Sequence, residues 1–283
     1  MNKNELKSLH VIIHRALEED LGDGDITTLS TVPGRSILKG TFIAKESGII
    51  AGLEVVRETL KYLDPRISFS AHVSDGKRVS KESVLATVQG NGRALLIAER
   101  TALNFFQRMS GIATTTRMYV DAVRKTKAII VDTRKTAPGL RLIDKWAVRL
   151  GGGQNHRFGL YDMVLIKENH IAAAGGISQA VARVRATDKK RRAIEVEVRT
   201  LNELRETIEL NVDRILLDNM SLKQMREAVT LINGKTELEA SGNVSLENVA
   251  AIAATGVDII SVGKLTHSVR ALDISFLLEQ VKR

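Results

Sequence analysis

Along the first part of the chain, apolar positions recur every three to four residues. Leu6, Leu9, Ile13, Ala16 and Leu17 share one helical face, and Gly22 and Gly24 end the pattern. From Ser36 to Asn91 the period changes. Short alternating runs (SILKGTFIAKESGIIAG, RISFSAHV and SVLATVQG) surround one helix-like piece, GLEVVRETLKYLD, and Asp75-Gly76 marks a turn between two of the runs. This predicts an α+β domain. A helical stretch follows from about Ala94 to Met109, with Ser110-Gly111 interrupting it.

Beyond it the pattern becomes a regular alternation. Apolar runs at 128–132, 163–167, 193–198, 214–218, 236–241 and 258–263 are separated by helix-like segments: LIDKWAVRL, ISQAVARVR, LNELRETIEL, SLKQMREAVTLI and SLENVAAIAA. Strands that alternate with helices pair in parallel, because each needs a crossover. The fold class expected is α/β: an N-terminal α+β domain over residues 1–112, then a parallel (β/α) barrel, complete or slightly open, over 113–270. Residues 271–283 are expected to form a C-terminal helix. A doubly wound sheet is the alternative, but no GxGxxG fingerprint follows any strand.

In a barrel the C-terminal strand ends carry the chemistry, and here those ends are polar. They read Thr133-Arg134-Lys135, then Lys167-Glu168-Asn169-His170, Asp218-Asn219, Ser241-Gly242-Asn243 and Gly263-Lys264. Within AIEVEV, Glu195 and Glu197 lie two apart on one face, costly to bury without cations or a metal beside them. Arg134, Lys135, His156, Arg157 and Lys167 make a cationic group that repels itself unless an anion fills it, and arginine forks match carboxylate or phosphate oxygens. The turns Ser241-Gly242-Asn243 and Ser261-Val262-Gly263 stand where barrels hold phosphate. Glu197 and Asp218 supply negative charge suited to Mg²⁺, sugar hydroxyls or a developing oxocarbenium ion. A structural account of any single one of these residues is ordinary: a solvated lysine, or an Asp-Asn helix cap. Their coincidence at one rim points to a site for a polyanion, a phosphate and a metal.

Composition narrows the alternatives. The chain has 283 residues and a net charge of +9, but only 4% aromatics, too few for a base-stacking surface. KKRR at 189–192 lies between two periodic segments and reads as a solvated loop. Small anionic ligands, rather than nucleic acid, are expected. There is no cysteine, so no disulfide, thiolate metal site or cysteine nucleophile. EEDLGDGDITT lacks EF-hand ligand spacing, and neither an HExxH motif nor a nucleophile–His–acid arrangement is found. No run is long enough to span a membrane, and the N-terminus lacks a signal-peptide core, so a cytoplasmic protein is expected.

At these residues the sequence closely resembles the quinolinate phosphoribosyltransferases. The matching stretches are EEDLGDGDITT, AERTALNFFQRMSGIAT, DTRKTAPGLR, GGGQNHR, VLIKENH, VEV, LLDN, EASGN and SVGKLTH, in family order across nearly the whole chain. The pairing of DTRKT with GGGxNHR is highly specific. Gln154 fills the variable slot, and Asn243 stands where some members carry a second glycine. The resemblance implies transfer of phosphoribose from phosphoribosyl pyrophosphate to quinolinate, with release of pyrophosphate and CO₂ and formation of nicotinate mononucleotide. It implies that Arg134, His156, Arg157 and Lys167 hold the two quinolinate carboxylates, with Thr133 beside them and Arg100 joining from a neighbouring subunit. Lys135 would serve the phosphoribosyl donor, and Glu197 and Asp218 the ribose and Mg²⁺, the metal contact being direct or through water. Lys135, Lys167, Glu197 and Asp218 are the catalytic candidates. Ser241, Gly242 and Asn243, with Ser261, Val262 and Gly263, would take the 5′-phosphate. A homodimer with shared sites, or a larger assembly built on it, is implied. The rival readings are a phosphoribosyltransferase for another acceptor such as nicotinate, a basic nucleic-acid-binding protein, and a non-catalytic barrel kept for assembly.

Overall fold

A computed structural model describes residues 2–281. In chain order the elements begin with α1 (Lys3–Leu21), α2 (Ile26–Thr31), β1 (Ile37–Ala44), β2 (Gly48–Ile49), α3 (Leu53–Leu63), β3 (Ser68–Ala71), β4 (Arg78–Val79), β5 (Val84–Asn91) and α4 (Gly92–Val123). They continue with β6 (Ile129–Val131), α5 (Arg141–Leu150), β7 (Val164–Ile166), α6 (Glu168–Ala174), α7 (Ile177–Thr187), β8 (Ile194–Val198), α8 (Leu201–Glu209) and β9 (Arg214–Asp218). The last are α9 (Leu222–Ile232), β10 (Glu237–Ser241), α10 (Val249–Ala253), β11 (Ile259–Ser261), α11 (Lys264–His267) and β12 (Ile274–Gln280). The chain divides into two compact units. One comprises residues 1–117, 136–152 and 268–283; the other comprises 118–135 and 153–267.

The first unit is the expected α+β domain, enlarged. An antiparallel sheet runs β12-β1-β5-β3, and Leu9, Ile13 and Leu17 form the buried stripe of α1. Asp25, inside the acidic stretch after that helix, caps α2 by accepting a hydrogen bond from the Thr28 amide at 2.9 Å. Phe42 is the centre of the core. Its ring lies 4.4 Å from that of Phe276 and meets Phe106 edge-on at 6.0 Å.

Two expectations change here. Residues 274–280 are a strand, not the C-terminal helix expected over 271–283; residues 282 and 283 lie outside the described residues. The reason is phase. Ile274 and Phe276 alternate with partly exposed Ser275 and exposed Leu277, and the strand pairs antiparallel with β1, setting Phe276 opposite Phe42. Nor does Ser110-Gly111 interrupt α4, which runs through both. A side chain at Gly111 would collide with the Arg270 carbonyl, 2.0 Å from where its Cβ would stand. The glycine therefore serves close packing, not helix termination.

The second unit is an α/β barrel-like fold. Its six strands lie in the order β6-β11-β10-β9-β8-β7, all parallel, with an isolated parallel bridge from Val131 to Gln154 at the β6 edge. All six expected strands form. The segment LIDKWAVRL does not act as a simple crossover helix of this unit, however. It becomes α5, which with residues 136–152 belongs to the first unit. A buried ion pair there explains why. Arg108 on α4 grips Asp144 on α5 through two hydrogen bonds of 2.8 Å, and the Asp144 side chain is fully buried.

Candidate active site

Alternation along the parallel strands decides which side chains face the barrel interior. The ladder sets Leu165, Glu195, Arg214 and Glu237 in one row, and Glu197, Leu216, Glu239 and Ile259 in the next. Asp218 lies beside Ser241 one row further along. Val196, Val198, Ile215 and Leu217 take the opposite face and are buried. As expected from AIEVEV, Glu195 and Glu197 share the interior face.

At the C-terminal strand ends the second unit holds a cavity of about 680 Å³. Thr133, Arg134, Lys135, His156, Arg157, Lys167, Glu197, Asp218, Ser241, Gly242, Asn243, Ser261 and Gly263 all line it. Thirteen of the fifteen residues proposed from sequence are thus brought to one place. Val262 is not among them. Its side chain is buried and its amide donates to the Val131 carbonyl at 2.9 Å, so that N–H is spent on the β11–β6 edge and cannot serve a phosphate. Arg100 is exposed on α4 in the first unit and does not line the cavity.

The walls have opposite character. On one side Lys167 Nζ lies 2.8 Å from Glu197 Oε2, where the half-exposed ammonium meets a buried carboxylate. Asp218 accepts from Asn219 Nδ2 at 3.0 Å and approaches Arg199 Nε at 3.4 Å. Arg199 also binds Glu168, 2.6 Å away. On the other side, neither Lys135 nor Arg157 makes an ion pair among the described residues. Burial, and then the neighbouring Arg134 charge, pull the Arg157 pKa below its ordinary value. Crowded guanidinium groups of this kind are what an anion relieves.

His156 departs from the expected picture of a cation waiting for substrate. Its ring faces two buried glutamates, with Nε2 3.0 Å from Glu195 Oε2 and 3.2 Å from Glu239 Oε2. Burial acts against protonation, yet the two carboxylates outweigh it and raise the His156 pKa to about 9. Desolvation pushes Glu195 up. In Glu239 the His156 and Ser261 contacts overcome burial and hold it down. Such a group shares its protons, so the raised affinity belongs to the three side chains together. The loop that carries His156 is pinned by Asp132 at the end of β6. Its carboxylate accepts from the His156 amide at 2.9 Å and from Asn155 Nδ2 at 2.5 Å.

The rim over the late strands is built by close packing. Asn219 and Asn243 both take left-handed backbone, at φ 54° and 49°, and Asn243 Nδ2 donates to Asn219 Oδ1 at 3.1 Å. Gly242, at φ 97°, lies against them. Any Cβ there would stand 2.2 Å from Asn219 Oδ1. Thr266 Oγ1 donates to the Lys135 carbonyl at 2.8 Å, tying the loop after β6 to α11.

Leu165, Leu216, Asn219, Glu239, Val244, Lys264 and His267 also line the cavity, although they were absent from the sequence-derived set. Glu239 was findable, since it stands two residues before Ser241 and so shares its face. Lys264 directly follows Gly263 at a strand end. Nothing local marks Leu165 or Leu216, which form an apolar floor.

The two halves of the chain match two family models. Residues 25–110 match the N-terminal domain of quinolinate phosphoribosyl transferase, and residues 112–277 match its C-terminal domain. The chain belongs to the quinolinate phosphoribosyl transferase family. A chloroplastic nicotinate-nucleotide pyrophosphorylase [carboxylating] of Oryza sativa subsp. japonica is 47% identical over 290 residues, covering 96% of this chain and 78% of the relative. The probable nicotinate-nucleotide pyrophosphorylase [carboxylating] of Bacillus subtilis is 43% identical, covering 97% and 94%. The crystal structure of NadC from Streptococcus pyogenes superposes with a TM-score of 0.92 at 40% identity, covering 95% and 96%. The expected family and fold class are therefore confirmed, and the DTRKT and GGGxNHR segments that suggested them both fall within the family's C-terminal domain.

Proposed function

We propose that this chain, like the relatives named for the reaction, transfers phosphoribose from phosphoribosyl pyrophosphate to quinolinate, yielding nicotinate mononucleotide, pyrophosphate and CO₂ in the biosynthesis of NAD. The observation that carries this reading is the division of one cavity into a cationic wall, an acidic wall and a Ser/Gly/Asn rim. A pyridine dicarboxylate meets the first, a ribose the second and a phosphate the third.

Arg134 and Arg157 on the cationic wall, with Lys167 reaching in from beside Glu197 and His156 backing Arg157, hold the two carboxylates and so aim the ring nitrogen at the anomeric carbon. Orientation of this kind is the main contribution a protein makes when the leaving group departs readily. Glu197 and Asp218 face the ribose, where positive charge develops as the bond to pyrophosphate breaks. Lys135 serves the donor, and Ser241, Gly242 and Asn243, with Ser261 and Gly263, receive the 5′-phosphate. Two carboxylates on one cavity wall also suit a hard, oxygen-seeking cation, so Glu197 and Asp218 fit Mg²⁺, directly or through its water shell. When bound, that ion neutralises pyrophosphate as it leaves. Once the ring nitrogen is alkylated, its positive charge stabilises the electron pair left at the adjacent carbon. The C–C bond to that carboxylate then breaks, CO₂ departs, and a proton takes its place.

The fitting assembly is a two-fold dimer in which Arg100 of one subunit completes the other subunit's cavity. The alternative acceptor, nicotinate, lacks the second carboxylate and would leave a cation of the wall unmatched. Steady-state kinetics with both acids test the reading. We expect kcat/KM for nicotinate to fall below that for quinolinate by about a hundredfold or more. Equal values would favour the other acceptor.

A further inference from the structure

Glu195 touches no part of the reaction described above, yet its placement is expensive. Its side chain is fully buried, and the polar atom brought to it is His156 Nε2, 3.0 Å from Oε2. The groups that face it are His156, Glu239 and Arg214. Of these, His156 and Glu239 line the cavity, and His156 is joined directly to Arg157, the next residue in the chain.

The geometry around that ring is specific. On the far side from the glutamates, Nδ1 accepts the Arg157 amide hydrogen at 2.7 Å. A nitrogen that accepts carries no proton, so the ring proton sits on Nε2 and points at the two carboxylates. The further proton that the three-group cluster takes up lies with Glu195, the acid that desolvation pushes up. The His156 amide is held in turn by Asp132 at 2.9 Å. The ring is therefore clamped between buried acids below and the 156–157 peptide above. A metal at the His156–Glu195–Glu239 cluster would need the Nε2 lone pair, which the proton occupies. Arg214, 3.5 Å from Glu239, would repel a cation as well.

We infer that Glu195 is a positioning residue for the acid substrate: its carboxyl fixes the His156 ring, and the ring fixes the peptide that sets Arg157 in the cavity wall. The inference rests on the reading of quinolinate as acceptor and extends it one layer inward. Glu195 contacts neither substrate. Losing it should disturb the acid subsite and leave the donor subsite, on the Ser/Gly/Asn rim, as it was.

The test compares Glu195→Leu with Glu195→Gln, which keeps the shape and polarity of the carboxyl group, against the unmodified full-length enzyme. For the leucine variant, KM for quinolinate should rise tenfold or more while KM for phosphoribosyl pyrophosphate stays within twofold. Its melting temperature should stay close to the parent's, since Glu239 remains 3.2 Å from His156 Nε2 and an apolar group fills the space the buried carboxyl leaves. The glutamine variant should remain within threefold of the parent for both substrates. A leucine variant with unchanged quinolinate KM, both KM values rising together, glutamine as damaging as leucine, or a stoichiometric metal in the purified parent would each overturn the inference. If the leucine variant does not fold, ¹⁵N NMR of the parent decides: an unprotonated Nδ1 on His156 supports the clamp, and a protonated one refutes it. Absence of quinolinate turnover by the parent would sink the proposed reaction instead. The NMR result would then judge the clamp by itself.

Discussion

Replacing Gly242 with alanine is a one-carbon change whose consequence can be worked out from the rim. The backbone there sits at φ 97°, and the added Cβ would stand 2.2 Å from Asn219 Oδ1 and 2.5 Å from Asn219 Cγ. Contact that close cannot persist, so either the Asn219 side chain swings away or the turn opens. The first route breaks the 3.1 Å bond from Asn243 Nδ2, worth about 0.5–1.5 kcal/mol. In both routes an L-residue is forced into left-handed backbone, at about 1–2 kcal/mol. A total of about 1.5–3.5 kcal/mol falls on the turn assigned to the 5′-phosphate, so KM for phosphoribosyl pyrophosphate should rise about 10–300-fold. Quinolinate depends on the opposite wall, and its KM should move less than about threefold. Initial-rate kinetics with each substrate varied at saturating levels of the other measure both. Unchanged donor KM, or an equal rise in both, would refute the assignment of this turn to phosphate.

Further outcomes follow from other parts of the molecule. Arg157→Ala or Lys167→Ala should weaken quinolinate binding by about 2–4 kcal/mol and donor binding far less, because each removes a charge-assisted carboxylate contact; calorimetric titration with each ligand checks the split. If Arg100 acts across a two-fold interface, mixing inactive Arg100→Ala and Lys167→Ala proteins should recover roughly a quarter of wild-type activity, since about half the dimers are hybrids with one intact site of two. Activity left at the parental level, with subunit exchange verified, would confine Arg100 to its own chain. In the first unit, burial raises the Asp75 pKa from 3.8 to about 6, although its carboxylate accepts the Gly52 and Leu53 amides. The native state then binds more protons than the unfolded chain between those values. Stability should therefore fall as pH rises from about 4 to 6, by at most about 3 kcal/mol. Asp75→Asn should flatten that slope in urea denaturation measured across the range, and a slope unaffected by the substitution would remove Asp75 as its cause.

Much of this was legible in the residues because period and chemistry agreed. In AIEVEV the alternation placed Glu195 and Glu197 on the interior face, and the six apolar runs fixed the parallel sheet with the site residues at its strand ends. The failures came where local pattern underdetermines packing. ISFLLEQ carries too few residues to tell a short strand from a helix, and only its antiparallel pairing with β1 decides. Ser110-Gly111 has the composition of a helix stop, but the Arg270 backbone requires the glycine inside a continuous helix. Helix α5 has the length of a crossover, and the Arg108–Asp144 pair, which joins residues 36 apart, assigns it to the other unit. The most consequential gap was His156, whose Nε2 is already engaged by Glu195 and Glu239, two acids from different strands that no local spacing connects.

The central claim is that this cavity joins phosphoribose to a pyridine dicarboxylate and expels one carboxyl group. Its most direct test is incubation of the purified protein with phosphoribosyl pyrophosphate, Mg²⁺ and quinolinate labelled in the carboxyl group adjacent to the ring nitrogen. The account predicts labelled CO₂ released in step with nicotinate mononucleotide and pyrophosphate, in equal amounts. Phosphoribosyl pyrophosphate left intact, or a nucleotide product that still carries the label, would contradict it.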